Sequence, residues 1–103
     1  MAEKYIIRKI GKPACYEQLA EECLELAKEA LKMARIMRKE NPTPRTLDET
    51  RDKVIEEYAD VVNCIVTLDI PLDEEVMERK MKRWIERIKE KEEEDNESGS
   101  NEC

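Results

Sequence analysis

Histidine and phenylalanine are absent from this chain of 103 residues, and glycine occurs only twice. Without histidine there is no usual zinc site, no Glu-x-x-His di-iron pattern and no imidazole acid–base chemistry. Any metal must then be held mostly by oxygen. The four cysteines, Cys15, Cys23, Cys64 and Cys103, have spacings that match no zinc or redox motif. Cys23 and Cys64 stand among apolar residues and read as buried small hydrophobes. A reduced, cytoplasmic setting is the simplest expectation. No apolar run approaches membrane-spanning length and no secretory signal pattern opens the chain, so no membrane partner is expected.

A basic stripe is also missing. The net charge is -7, and residues 41–90 hold nine basic against thirteen acidic groups. That balance argues against a nucleic-acid polymer as partner, although a local basic pocket on the last helix fits within it. With one Trp and three Tyr, and 44% charged residues, the apolar material is Leu, Ile, Val, Met and Ala. Long helices with narrow apolar stripes produce this mixture, and their thin core makes self-association an expectation.

Residues 1–91 read as one all-α domain, an antiparallel bundle of three main helices completed by dimerisation. Residues 1–12, with Tyr5, Ile6, Ile7 and Ile10 among basic groups, read as a short extended arm. Pro13 marks the start of the first helix, which nothing breaks until about Lys39. Leu19, Cys23, Leu26, Ala30, Met33 and Met37 recur along it every three or four residues. A second line through Ala20, Leu24, Ala27, Leu31 and Ala34 widens the apolar face. Asn41-Pro42-Thr43-Pro44 ends this helix. Thr46 with Glu49 is a capping-box signature for a second helix from Leu47 to about Leu68. Asp69-Ile70-Pro71 breaks that helix, and Asp73 or a neighbour caps the third. There Val76, Met77, Met81, Trp84, Ile85 and Ile88 form an apolar stripe, with Trp84 read as core. Residues 92–103 read as a disordered acidic tail.

The carboxylates fall at the margins of these apolar faces. Glu22, Glu25 and Glu29 share one side of the first helix, and Glu57 and Asp60 one side of the second. Antiparallel pairing brings Glu22 and Glu25 opposite Glu57 and Asp60. Like charges so close are costly unless a cation sits between them. Mg²⁺, with Mn²⁺ able to replace it, is the hard ion that such a cluster and a phosphate chain would share. The plainer reading is that these glutamates are solvated surface charge. Lys28 and Lys32 read as local partners of Glu25 and Glu29.

Glu21-Glu22-Cys23-Leu24-Glu25 followed by Glu56-Glu57-Tyr58-Ala59-Asp60 resembles the ExxE and ExxD motifs of the all-α nucleoside triphosphate pyrophosphohydrolases, the MazG-like group. The run Lys80–Arg87 resembles that family's basic closing helix, so the likeness spans roughly residues 15–88. The resemblance implies hydrolysis of a (d)NTP to (d)NMP and pyrophosphate by a metal-activated water. It implies Glu22, Glu25, Glu57 and Asp60 as metal ligands, with Glu21, Glu22 and Glu25 taking part in catalysis. Asn63, Lys80, Arg83 and Arg87 would bind substrate. Asn63 reads equally as a satisfied polar core position, and the three cations as solubilising charge. The family's habit implies a homodimer or homotetramer. Two rivals stand beside this reading: a phosphoribosyl-ATP pyrophosphohydrolase on a similar bundle, and a non-catalytic helical interaction protein.

Overall fold

A computed structural model describes residues 1–39 and 45–101, with side chains as far as Glu97. Among the described residues there are four helices and no strand: α1 Ala2–Ile10, α2 Lys12–Arg38, α3 Leu47–Thr67 and α4 Glu74–Asn101. The Asn41–Pro44 connector lies outside the described residues. The chain divides into two units, Met1–Ile70 and Pro71–Cys103.

Four helices correct the expected three, and the added one is the segment read as an extended arm. Glu3 occupies the first turn of α1 and accepts a hydrogen bond from the terminal ammonium at 2.9 Å. Arg8 and Lys9 occupy the last turn, so charges of both signs suit the helix dipole. A helix of nine residues is too short to persist alone. It forms here by packing on α2 and α3, a stabilisation that local pattern does not carry. Gly11 then serves both as the C-cap of α1 and the N-cap of α2, at φ 84°. Its N–H donates to the Ile7 carbonyl, and its own carbonyl accepts from Cys15 N–H. Few side chains tolerate that φ. Pro13 follows in the first turn of α2, where a missing N–H costs nothing.

The cap of α3 forms where expected. Thr46 Oγ1 accepts from Glu49 N–H at 3.1 Å, and the same hydroxyl lies 3.2 Å from Glu49 Oε1. The two side chains thus bond each other, and Glu49 does not reach back to the Thr46 backbone as in a full capping box. Thr50 is fully buried and ties its hydroxyl to the Thr46 carbonyl at 3.0 Å. Thr46→Ala is expected to cost about 1 kcal/mol, read as a lower urea midpoint with an unchanged slope. A midpoint equal to wild type would show that the cap is redundant.

Helices α2 and α3 pack antiparallel, with Glu22 beside Glu57 and Asp60, and Glu29 beside Arg45. The residues of α2 that face inward are Cys15, Leu19, Glu22, Leu26, Glu29 and Met33, alternating steps of four and three. On α3 they are Thr50, Val54, Glu57, Val61, Cys64 and Leu68. This is a coiled-coil-like seam in which glutamates hold three of the positions. Cys23 is exposed, correcting its reading as a buried hydrophobe: it lies one position beyond Glu22, about 100° around the helix. The hydrophobic core is correspondingly small, with Cys15, Val61 and Leu68 its only buried apolar members among the described residues.

Considered by itself, α4 opens on Asp73, whose Oδ1 accepts from Val76 N–H at 3.1 Å. It continues through the acidic segment to Asn101 instead of ending near Lys91. Glu and Lys are strong helix formers, and Lys91 pairs with Asp95 at 3.5 Å one turn on. Taken by itself, α4 leaves Trp84 61% exposed.

Candidate metal centre

Two glutamates that occupy seam positions meet across the α2–α3 contact. Glu22 and Glu57 are half-buried, Asp60 is exposed, and one carboxylate oxygen from each lies within 4.8 Å of the others. Glu22 Oε1 accepts a hydrogen bond from Gln18 Nε2 at 2.8 Å, which fixes its direction along the helix. Among the described residues no cationic side chain reaches Glu22, Glu57 or Asp60 within ion-pair distance. Burial pushes the Glu57 carboxyl above its ordinary value, and the charges of Asp60, Glu22, Glu25 and Glu56 push it further. The Cys64 thiol is raised too, first by burial and then by Glu22.

The third seam glutamate makes the contrast. Glu29 is only 5% exposed, yet it is fully answered by cations. Arg45 Nη1 donates to both of its oxygens, and Lys32 Nζ lies 3.2 Å from Oε2. Burial is the largest single influence on Glu29 and acts upward. The hydrogen bonds and charges of Arg45 and Lys32 outweigh it and leave the carboxyl below its ordinary value. Buried carboxylates persist when paired. The Glu22–Glu57–Asp60 group lacks that pairing and offers only hard oxygen donors, the set that Mg²⁺ or Mn²⁺ accepts. The residues present therefore fit a divalent cation.

The other expected ligand stands aside. Glu25 is exposed and lies 3.6 Å from Lys28, one of the two local pairs anticipated; its charge reaches Glu57, but its carboxylate is not in the group of three. Glu21 is exposed and outside the group. Asn63 sits one turn beyond Asp60 and borders a small hollow under α1. Lys80, Arg83 and Arg87 are exposed along α4, with Lys80 and Arg83 among Glu75, Glu78 and Glu86 on its surface. Gln18 and the Glu29–Arg45 clasp escaped the sequence reading. The four-three spacing that places Glu29 on the line of Cys15, Leu19, Glu22 and Leu26 is the signal that reveals it.

The raised Glu57 carboxyl has a definite consequence with pH. In metal-free protein the folded state holds this proton more tightly than the unfolded chain. Its stabilising contribution is full below 4.5 and is lost as pH rises through the folded value. A cation needs the ionised form, so divalent-ion affinity is expected to rise over that same interval. Titration with Mn²⁺ at stepped pH checks this, and an affinity flat across the carboxylate range would count against the site.

No protein-family model, curated protein or solved structure matches the chain.

Proposed function

We propose that the chain is a Mg²⁺-dependent nucleotide pyrophosphohydrolase that converts a (d)NTP to (d)NMP and pyrophosphate at the Glu22–Glu57–Asp60 centre. The observation that carries this reading is the meeting of two seam glutamates and Asp60 without a counter-ion, beside a third seam glutamate that has one. A protein gains nothing in stability from such an arrangement, so it calls for a ligand. The motif resemblance of both acidic segments agrees.

In this reading Glu22, Glu57 and Asp60 hold the cation, and Glu25 joins them when its carboxylate leaves Lys28. Bound divalent ions would neutralise phosphate charge and lower the pKa of the attacking water. Gln18 holds Glu22 in its direction, and Glu21 is placed to orient water. Lys80, Arg83 and Arg87 are the candidates to grip phosphate, Arg by a forked contact. The working form is a homodimer or homotetramer. Leu24 and Leu31 on α2 and Ile55 and Tyr58 on α3 are each more than half exposed, apolar side chains that a second copy would cover. No described helix is long and apolar enough to cross a membrane, and a cytoplasmic location is part of the proposal.

The test is incubation with a panel of NTPs and dNTPs, with and without Mg²⁺, separating monophosphate, diphosphate, phosphate and pyrophosphate. Monophosphate with pyrophosphate, only in the presence of metal, is the expected result. Diphosphate with phosphate would mean that another bond is cut. Turnover of phosphoribosyl-ATP alone would favour the first rival, and no turnover at all the non-catalytic bundle.

A further inference from the structure

Beside the carboxylates, on the same helix pair, lies a hollow of about 120 Å³. Ile6 and Ile10 of α1 form its roof, Cys15 and Cys64 its floor, and Gln18 and Asn63 are among the residues at its margin. The volume is too small for a whole nucleotide, since drug-sized ligands fill pockets of roughly 300–1,000 Å³. It suits a single ring system. The walls are apolar, and two of the marginal side chains end in amides.

The hollow and the acidic group are neighbours along both helices. On α2, Gln18 borders the hollow and donates its hydrogen bond to Glu22. On α3, Asn63 follows Asp60 by three residues, and the Cys64 thiol in the floor feels the charges of Glu22 and Asp60. The two places are thus about one helical turn apart, roughly 5 Å. That separation is of the order of a pentose between a base and its first phosphate. Gln18 gives one of its two amide N–H groups to Glu22, and Asn63 makes no side-chain hydrogen bond among the described residues.

Resting on the hydrolase reading above, we infer that this hollow receives the nucleobase of the triphosphate, with Ile6 and Ile10 selecting it by shape. Helix α1 is then part of the substrate site, a role that neither acidic motif announces. The apolar roof and floor clasp the ring faces, and the phosphates extend toward Glu22, Glu57 and Asp60.

Nucleosides without phosphate test the hollow apart from hydrolysis. In a titration of the isotopically labelled wild-type protein, nucleosides at millimolar concentration are expected to shift the Asn63 side-chain amide together with Ile6, Ile10 and Cys64. In a second measurement Ile6→Trp, a change at a 38% exposed position, narrows the hollow. Its KM for triphosphates is expected to rise about tenfold, with kcat changed far less, and the ratio of KM values between purine and pyrimidine substrates to move. Nucleoside shifts confined to other faces, or none, would overturn the inference, and so would a KM unchanged in a folded variant. A protein concentration series in the same spectra identifies a second copy's side chain as the occupant, which also overturns it. Wild-type protein that binds nucleosides here but releases no pyrophosphate would remove the hydrolase reading and leave the base pocket standing. Hydrolysis without nucleoside binding would do the reverse.

Discussion

Asp60→Asn is expected to leave a folded protein that has lost at least about 100-fold of its metal-dependent hydrolysis, since even indirect supports of a metal site cost 10–100-fold. Its stability should change in a way that ordinary damage does not. In the metal-free state the substitution removes the neighbouring charge that acts most strongly on Glu57, so the melting temperature should stay level or rise. Addition of Mg²⁺ or Mn²⁺ should then do little. Wild-type protein should gain about 2.7 kcal/mol when the free ion stands a hundredfold above its dissociation constant, a shift of several degrees or more for a domain this small. A variant destabilised without metal, yet still responsive to it, would mean that Asp60 supports the fold and is no ligand.

The second large effect belongs to Arg45. Arg45→Met leaves the Glu29 carboxylate in the seam with Lys32 as its remaining partner. Removing one member of a buried ion pair costs roughly 3–5 kcal/mol. Because the Arg45 side chain is 29% exposed and Lys32 stays, the expected loss is nearer 2–3 kcal/mol, read as a lower urea midpoint. The pH dependence changes with it. In wild type the Glu29 carboxyl lies below its ordinary value, so its contribution is present above 4.5 and lost as pH falls through the folded value. In the variant the hydrogen bond and charge of Arg45 are gone, so the carboxyl moves up from its wild-type position and this acid-side loss shrinks. The double variant Glu29→Leu/Arg45→Met should recover most of the stability, because an apolar pair can replace a buried ion pair with little loss. Failure of that recovery would show that the clasp contributes more than its charges.

Much of this arrangement was legible in the residues. Uninterrupted three-and-four spacing marked α2 and α3, Pro13 and Thr46 marked their starts, and the idea of antiparallel pairing brought Glu22 toward Glu57 and Asp60. What was not legible depended on partners distant in sequence. Apolar spacing drew the inward line of α2 through Cys23 and Ala30, because glutamate was counted as surface. The seam runs through Glu22 and Glu29 instead. Lys32 was visible as a partner of Glu29 because it is one turn away. Arg45 was not, because it lies beyond the connector. Glu25 looked equivalent to Glu22 by spacing, and only the side-chain geometry separates the two. The helical state of residues 2–10 comes from contacts with α2 and α3, which a short local pattern does not encode.

Gly11 joins α1 to α2 with a single non-helical residue, and α1 roofs the hollow from the far side of that joint. Each residue added or removed inside α1 between Ile6 and Gly11 turns the part beyond it by about 100° and moves it by about 1.5 Å. One insertion there would carry Ile6 off the helix pair while leaving Glu22, Glu57 and Asp60 in place. Past Lys91 the same insertion would only lengthen a solvated rod. Tolerance to changes in length is therefore distributed unevenly along this small chain, with its tightest point at the segment read from the sequence as a short extended arm.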